Sequence, residues 1–311
     1  MNKWLRAFVG VSIIFLLFYI FEFKEIVGAF QNIDIRLVFL VGLVIMGSTL
    51  FGAIGMYLLV SRGDEILFSR FLPVYWASWA IGLVVPGQVG DVASISLLLK
   101  RLGFEWSAIL ARSLVDKVIT LLIMSALAIY GLIYFAKIDH LNSKAILWII
   151  FWLVILSTLC IWMQREFVRR VNSKKFKILK FTSNTLKEIA NTVLNYPLRV
   201  IANFMITFFK IVLIGTAYWL MFKALGHADI SLWEVIPLVA ASSLVAYLPI
   251  SLNGIGTVEI TGILLFSYIG LPETTVLTTF LSMRLIVFLL AWLPASLILL
   301  IAREPTSNTL S

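Results

Sequence analysis

Apolar runs of roughly twenty residues recur along the chain, and short polar segments punctuate them. Residues Trp4–Phe21, Leu37–Val60, Trp106–Phe135, Ala145–Met163, Val200–Phe222 and Thr275–Ile301 are each long enough, at 1.5 Å per residue, to cross a hydrocarbon layer as a helix. Four other runs are too short to cross. Phe71–Pro86 and Val92–Leu99 flank the polar stretch Pro86-Gly87-Gln88-Val89-Gly90-Asp91, while Ile236–Pro249 and Val258–Gly270 flank Leu248–Glu259, which contains Asn253-Gly254-Ile255-Gly256. Each pair predicts a re-entrant hairpin whose tip is a glycine-containing break. Backbone groups freed at such a break find no partners in hydrocarbon, so it must face protein, water or a ligand.

The two halves repeat one another. Pro73, Pro86, Asp91, Gly103, Glu105 and Arg112 recur as Pro237, Pro249, Glu259, Gly270, Glu273 and Arg284, with an offset of 163 residues from Pro86 to Pro249 and 172 from Arg112 to Arg284. Leu and Ile align with anything, but proline, glycine, acid and arginine in one order do not. The pattern therefore predicts an all-α polytopic membrane protein, a single integral domain over 1–311. Repeat 1 spans about 37–135 and repeat 2 about 200–301. Within the first long run, Ser48 and Gly52 have the small-residue spacing that lets helices approach closely in a bilayer.

Composition narrows the class. With 61% hydrophobic and 13% charged residues, the chain is far too apolar for a soluble globule. The formal net charge of +9 is concentrated in a few loops. Basic loops beside a membrane mark the cytoplasmic side and attract anionic headgroups, so lipid rather than nucleic acid is the expected partner. Placing the basic segment 164–199 in the cytoplasm of a cell-membrane protein puts both termini and the 61–70 loop there too. The first hairpin then enters from the cytoplasm and the second from outside, as in an inverted repeat. Within 164–199, Phe176, Leu179, Leu186, Ile189 and Val193 form an apolar stripe opposite Lys175, Lys187 and Asn191, the pattern of a helix lying in the membrane interface. The basic, apolar N-terminus is followed by no small-residue cleavage site and reads as an uncleaved first span. One cysteine, Cys160, excludes an intrachain disulfide, and His140 and His227, both in loops, make no metal site. No cofactor and no catalytic group is expected.

Charges within the apolar runs carry the candidate chemistry, because each costs at least about 2.5–3.5 kcal/mol to bury in a bilayer. Arg284 needs an acid, Glu259 or Glu273, or a substrate anion. Lys210 is equally central and suits either a ligand or a buried acid. Arg112 either snorkels to the cytoplasmic surface or pairs with Asp116 one turn later. Asp91 and Glu259 open short helices and so serve as caps, or else orient Arg112 and Arg284. In that second reading Gly87, Gly90, Gly254 and Gly256 expose backbone to a headgroup, Gln88 and Asn253 add neutral hydrogen bonds, and the planar arginine forks bind phosphate.

These residues carry a family resemblance. Pro86-Gly87-Gln88-Val89-Gly90-Asp91, Leu97–Arg101, Arg112, Asp116, Asn253–Glu259 and Arg284 together resemble the lysylphosphatidylglycerol synthase transmembrane family. The likeness extends over essentially the whole chain and implies a flippase-type domain that moves lipids between leaflets. It departs at Ala93 and Ser94, where family members commonly carry a further arginine. The resemblance is to the membrane half alone and not to the soluble aminoacyl-transferase half, so lysine transfer is not among the expected activities. The expected function is therefore movement of an anionic phospholipid or a polyprenyl-phosphate-linked glycan lipid by alternating access. The competing reading is a non-transporting partner of a membrane glycosyltransferase or lipid synthase.

Overall fold

The computed structural model describes residues 33–61, 66–84, 105–135, 176–247 and 251–301, together with isolated positions between 92 and 103. The expected spans 4–21 and 145–163, the first hairpin tip with Gly87, Gln88, Gly90 and Asp91, the start of the basic segment and the C-terminal tail lie outside the described residues. All regular structure among the described residues is helical. In chain order the helices are α1 (Ile35–Val60), α2 (Phe68–Gly82), α3 (Trp106–Phe135), α4 (Phe176–Asn195), α5 (Pro197–Ala224), α6 (Leu232–Leu244), α7 (Thr257–Phe266) and α8 (Glu273–Ile301). Among them α1, α3, α5 and α8 are long and apolar enough to cross a membrane.

Helix starts fall a few residues earlier than the prolines suggest. Pro73 and Pro237 lie inside α2 and α6 rather than opening them. For α6 the cause is a cap: Glu234 Oε2 accepts from the Ser231 N–H (3.2 Å), so the helix begins before Pro237 is reached.

The most extensive pairing joins α1 and α5, which run antiparallel. The Asp34 N–H at the start of α1 donates to Ala224 O at the end of α5 (3.1 Å). Further along, Gly52 lies beside the Lys210 stem and Gly55 beside Asn203 and Ile206. Finally Arg199 Nη1, at the start of α5, donates to Ser61 O. The small residues of α1 make this approach feasible: Ser48 and Gly52 are buried, in keeping with their spacing, and so is Gly55. A methyl on Gly52 would strike the Tyr75 hydroxyl and crowd Lys210 Cδ and Cε at 3.4 Å.

The shorter helices cross over. α2 packs on α8 and α6 packs on α3, so each short helix leans on a long helix far from it in sequence. Gly131 receives Pro237, and Gly215 lies against Ile236. At Gly215 an added Cβ would stand 2.9 Å from Ile236 Cα, a backbone atom that cannot swing aside. Gly215→Ala is therefore expected to destabilise by about 1–3 kcal/mol through overpacking, seen as a lower melting temperature in detergent. On the other side, Ala80, Ala291 and Ala295 bring α2 against α8. Pro294 has no N–H to give the Leu290 carbonyl one turn back. Trp76 Nε1 of α2 fills that vacancy, donating to Leu290 O at 3.1 Å.

Candidate functional site

The second break, between α6 and α7, is built by backbone conformations that few side chains adopt. Asn253, Gly254 and Gly256 all have positive φ, at 46°, 71° and 80°. Gly254 has no room for a side chain, since a Cβ would stand 2.9 Å from Ala246 Cα. Hydroxyls brace the turn: Thr257 Oγ1 donates to Gly254 O (3.1 Å) and lies 3.1 Å from Ser251 Oγ. These contacts hold Asn253 O and Glu259 toward α8.

Glu259 is completely buried and serves two partners at once. Its Oε2 accepts from Gly256 N (2.7 Å), capping α7, and its Oε1 accepts from Arg284 Nε in an ion pair. The helix-cap and arginine-orienting readings of this residue thus describe one carboxylate. Arg284 Nη1 also reaches Asn253 O at 3.3 Å. Arg284 is the twelfth residue of a 24-residue apolar span, about 17 Å from its start and so near the bilayer midplane. Its acid is Glu259; Glu273 is exposed at the start of α8.

A cavity of about 720 Å³ opens beside this pair. Its lining brings together five of the expected site residues, Asp116, Lys210, Asn253, Glu259 and Arg284, from α3, α5, the break, α7 and α8. Arg284 presents a quarter of its side-chain surface, so a guanidinium anchored on one edge is open on another. Lys210 is residue fourteen of the 28 in α5, again near mid-membrane. Lys117 also lines the space, its Nζ 5.8 Å from the centre of the Tyr247 ring, within cation–π range. Arg284, already paired with Glu259, and Lys210 both reach the cavity at mid-depth, where low dielectric strengthens charge interactions relative to water. Among the described residues no three His, Cys, Asp or Glu side chains converge as metal ligands.

Arg112 stands apart from this cavity. It neither snorkels nor pairs with Asp116: it is 4% exposed, and Nη1 donates to Val60 O at 2.5 Å, the last carbonyl of α1. With Arg199 on the neighbouring Ser61 carbonyl, two arginines cap the negative end of that helix. Asp116 points elsewhere, its Oδ1 accepting from Asn203 Nδ2 (2.9 Å). Gly254 and Gly256 shape the turn, while Asn253 and Ile255 between them reach the cavity wall.

Sequence reasoning missed Asn203, Tyr218 and Arg199. The signal for Tyr218 was present: Lys210, Ile214 and Tyr218 are spaced four apart, so a ligand-facing Lys210 predicts that Tyr218 faces the ligand too, and all three line the cavity. For Asn203 and Arg199 the partners come from other helices, so local spacing carries no trace of them.

No curated protein matches the chain. A family model described as the lysylphosphatidylglycerol synthase TM region matches residues 3–295, so the spans, the glycine-shaped break and the buried Glu259–Arg284 pair are those of a chain that belongs to this membrane-protein family.

Proposed function

We propose that the protein moves lipids with an anionic, phosphate-bearing headgroup between leaflets, the headgroup seated in the cavity while the acyl or prenyl chains stay in the bilayer. The observation that carries this reading is the convergence of Arg284 and Lys210, each halfway along a membrane-crossing helix, on one cavity large enough for a headgroup. A cation so deep is retained for an interaction. The protein needs no catalytic group to do this.

The packing supports an inverted repeat and hence alternating access. α1 and α5 open the two repeats and lie antiparallel, and each repeat's first short helix leans on the other repeat's long helix. That reciprocity is what two copies of opposite orientation produce when they exchange faces. α6 and α7 pack on one another across the break, as the arms of a re-entrant hairpin do. In this arrangement the termini are cytoplasmic in the cell membrane. α4 lies in the interface: Leu186, Val193 and Leu194 are exposed while Thr185 and Thr192 are buried.

The test is reconstitution. Vesicles carrying the purified protein should equilibrate a labelled anionic phospholipid faster than protein-free vesicles, and a zwitterionic one much less so. Lys210→Gln removes a charge-assisted contact worth about 1.5–3 kcal/mol and should slow the anionic lipid roughly ten- to a hundredfold. Equal rates with and without protein overturn the reading and leave the partner role, which is then checked by co-purification of a synthase or glycosyltransferase.

A further inference from the structure

The wall of the cation-lined cavity opens outward at the seam between α2 and α8. Of the described residues that form this wall, Val84, Leu285 and Phe288 are exposed, at 49%, 60% and 47%, and the rest are buried or half-buried. Val84 stands just past the end of α2, and the other two lie on α8. All three are apolar.

Farther along, the same seam is shut. Ala80 meets Ala291 and Ala295, with Trp79, Leu83 and Trp292 packed around them, and the Trp76 indole holds the Leu290 carbonyl. α8 carries an outward apolar stripe of Leu285, Phe288, Leu289 and Leu293, yet the cavity reaches that stripe only at its first two members. The opening is therefore a feature of the wall and not the ordinary exposure of a membrane helix.

Depth decides what can occupy it. Counted from Glu273, Leu285 and Phe288 are the thirteenth and sixteenth residues of the 24-residue span Glu273–Ser296. At 1.5 Å per residue they lie about 18 and 23 Å from its start, inside a hydrocarbon layer about 30 Å thick. Water is missing outside the mouth at that level, so a soluble anion has no use for it. A hydrocarbon chain does, because it leaves an apolar rim and meets other chains. Arg284 precedes Leu285 and lies one turn from Phe288, so the guanidinium that lines the cavity is rooted at the mouth itself. Most of the remaining wall is apolar too, including Met56, Ile95, Met124 and Ile211. Such a surface offers nothing to a bare ion and suits the first carbons of a chain.

We infer that the mouth between α2 and α8 is a chain slot: a lipid whose headgroup lies against Arg284 and Lys210 passes its hydrocarbon chain out of the cavity over Val84, Leu285 and Phe288. This deepens the lipid-transport reading and rests on it for movement alone. The slot as a binding site stands on exposure and depth.

Two measurements test it. The first needs no transport. A photo-reactive benzophenone amino acid is placed at Leu285 or, as a control, at Leu293, in the full chain reconstituted into neutral phospholipid with a small fraction of anionic phospholipid. Both positions cross-link chains, but adducts at Leu285 should be about tenfold richer in the anionic lipid, the low end of what one charge-assisted contact confers. Lys210→Gln should remove the enrichment. Equal composition at the two positions overturns the slot. The second measurement narrows the mouth. Leu285→Trp should leave the melting temperature in detergent unchanged and slow anionic-lipid movement several-fold; Val84→Trp, on the α2 side, should do the same, and Leu293→Trp should do neither. Unchanged movement in both narrowing variants overturns the slot, and so does release of trapped inorganic phosphate from vesicles by the wild type, which would make the ligand a soluble anion. If the wild type moves no lipid at all, the transport reading fails, and the cross-linking comparison still decides the slot.

Discussion

Arg284→Ala should abolish lipid movement and, alone, should also cost much of the fold. Glu259 is wholly enclosed, and Arg284 is the cation that compensates it. Removing one member of a buried pair leaves an uncompensated charge, typically a loss of about 3–5 kcal/mol. A loss of transport in this variant is therefore ambiguous by itself. The double variant Arg284→Ala with Glu259→Gln resolves it. A carboxamide oxygen can still accept from Gly256 N and keep the α7 cap, while the stranded negative charge is gone. Melting in detergent should return to within about 1–2 kcal/mol of the wild type, because only neutral contacts are then missing. Lipid movement should not return. If the double variant transports at wild-type rate, the arginine is a structural partner of Glu259 alone and the headgroup is held elsewhere.

Gly254→Ala should be the most damaging single methyl in the described chain. Two effects add. The residue sits at φ 71°, where a Cβ costs about 1–2 kcal/mol. The new carbon would also stand 2.9 Å from Ala246 Cα, 2.8 Å from Ala246 Cβ and 2.5 Å from Val258 Cγ2. Relief would have to come from the backbone joining α6 to α7, the same backbone that presents Asn253 O to Arg284. A loss of about 3 kcal/mol or more is expected, with little folded protein recovered by size-exclusion chromatography in detergent. Gly226→Ala is the control: it too has positive φ, 93°, but its Cβ meets nothing within 4 Å, so it should lose only the conformational part.

What the sequence made legible divides along physical lines. Long apolar helices were readable because hydrocarbon imposes length and composition on each one separately; Trp106–Phe135 falls where the pattern put it. The break at 248–259 was readable because Pro, Asn and Gly stop a helix locally. Short helices were misplaced at their starts; in α6 the Glu234 carboxylate on the Ser231 N–H starts the helix ahead of the proline. Arg284 with Glu259 was legible as one of two pairings, because depth demanded an acid without saying which. Arg112 was left between the surface, Asp116 and a headgroup, because a helix cap cannot be told from these until the Val60 carbonyl is placed beside it. The carboxamide of Asn203 was invisible, as its meaning lies wholly in Asp116, on another helix.

The indole of Trp76 on the Leu290 carbonyl carries one more implication. A helix lacking an amide at Pro294 is mechanically soft one turn earlier, and here that soft point is gripped by a side chain from the opposite half of the molecule. Bending α8 and prising α2 away from it are consequently a single degree of freedom. The joint acts as a fulcrum, and leverage applied there is felt at Arg284, six residues from Leu290 along α8.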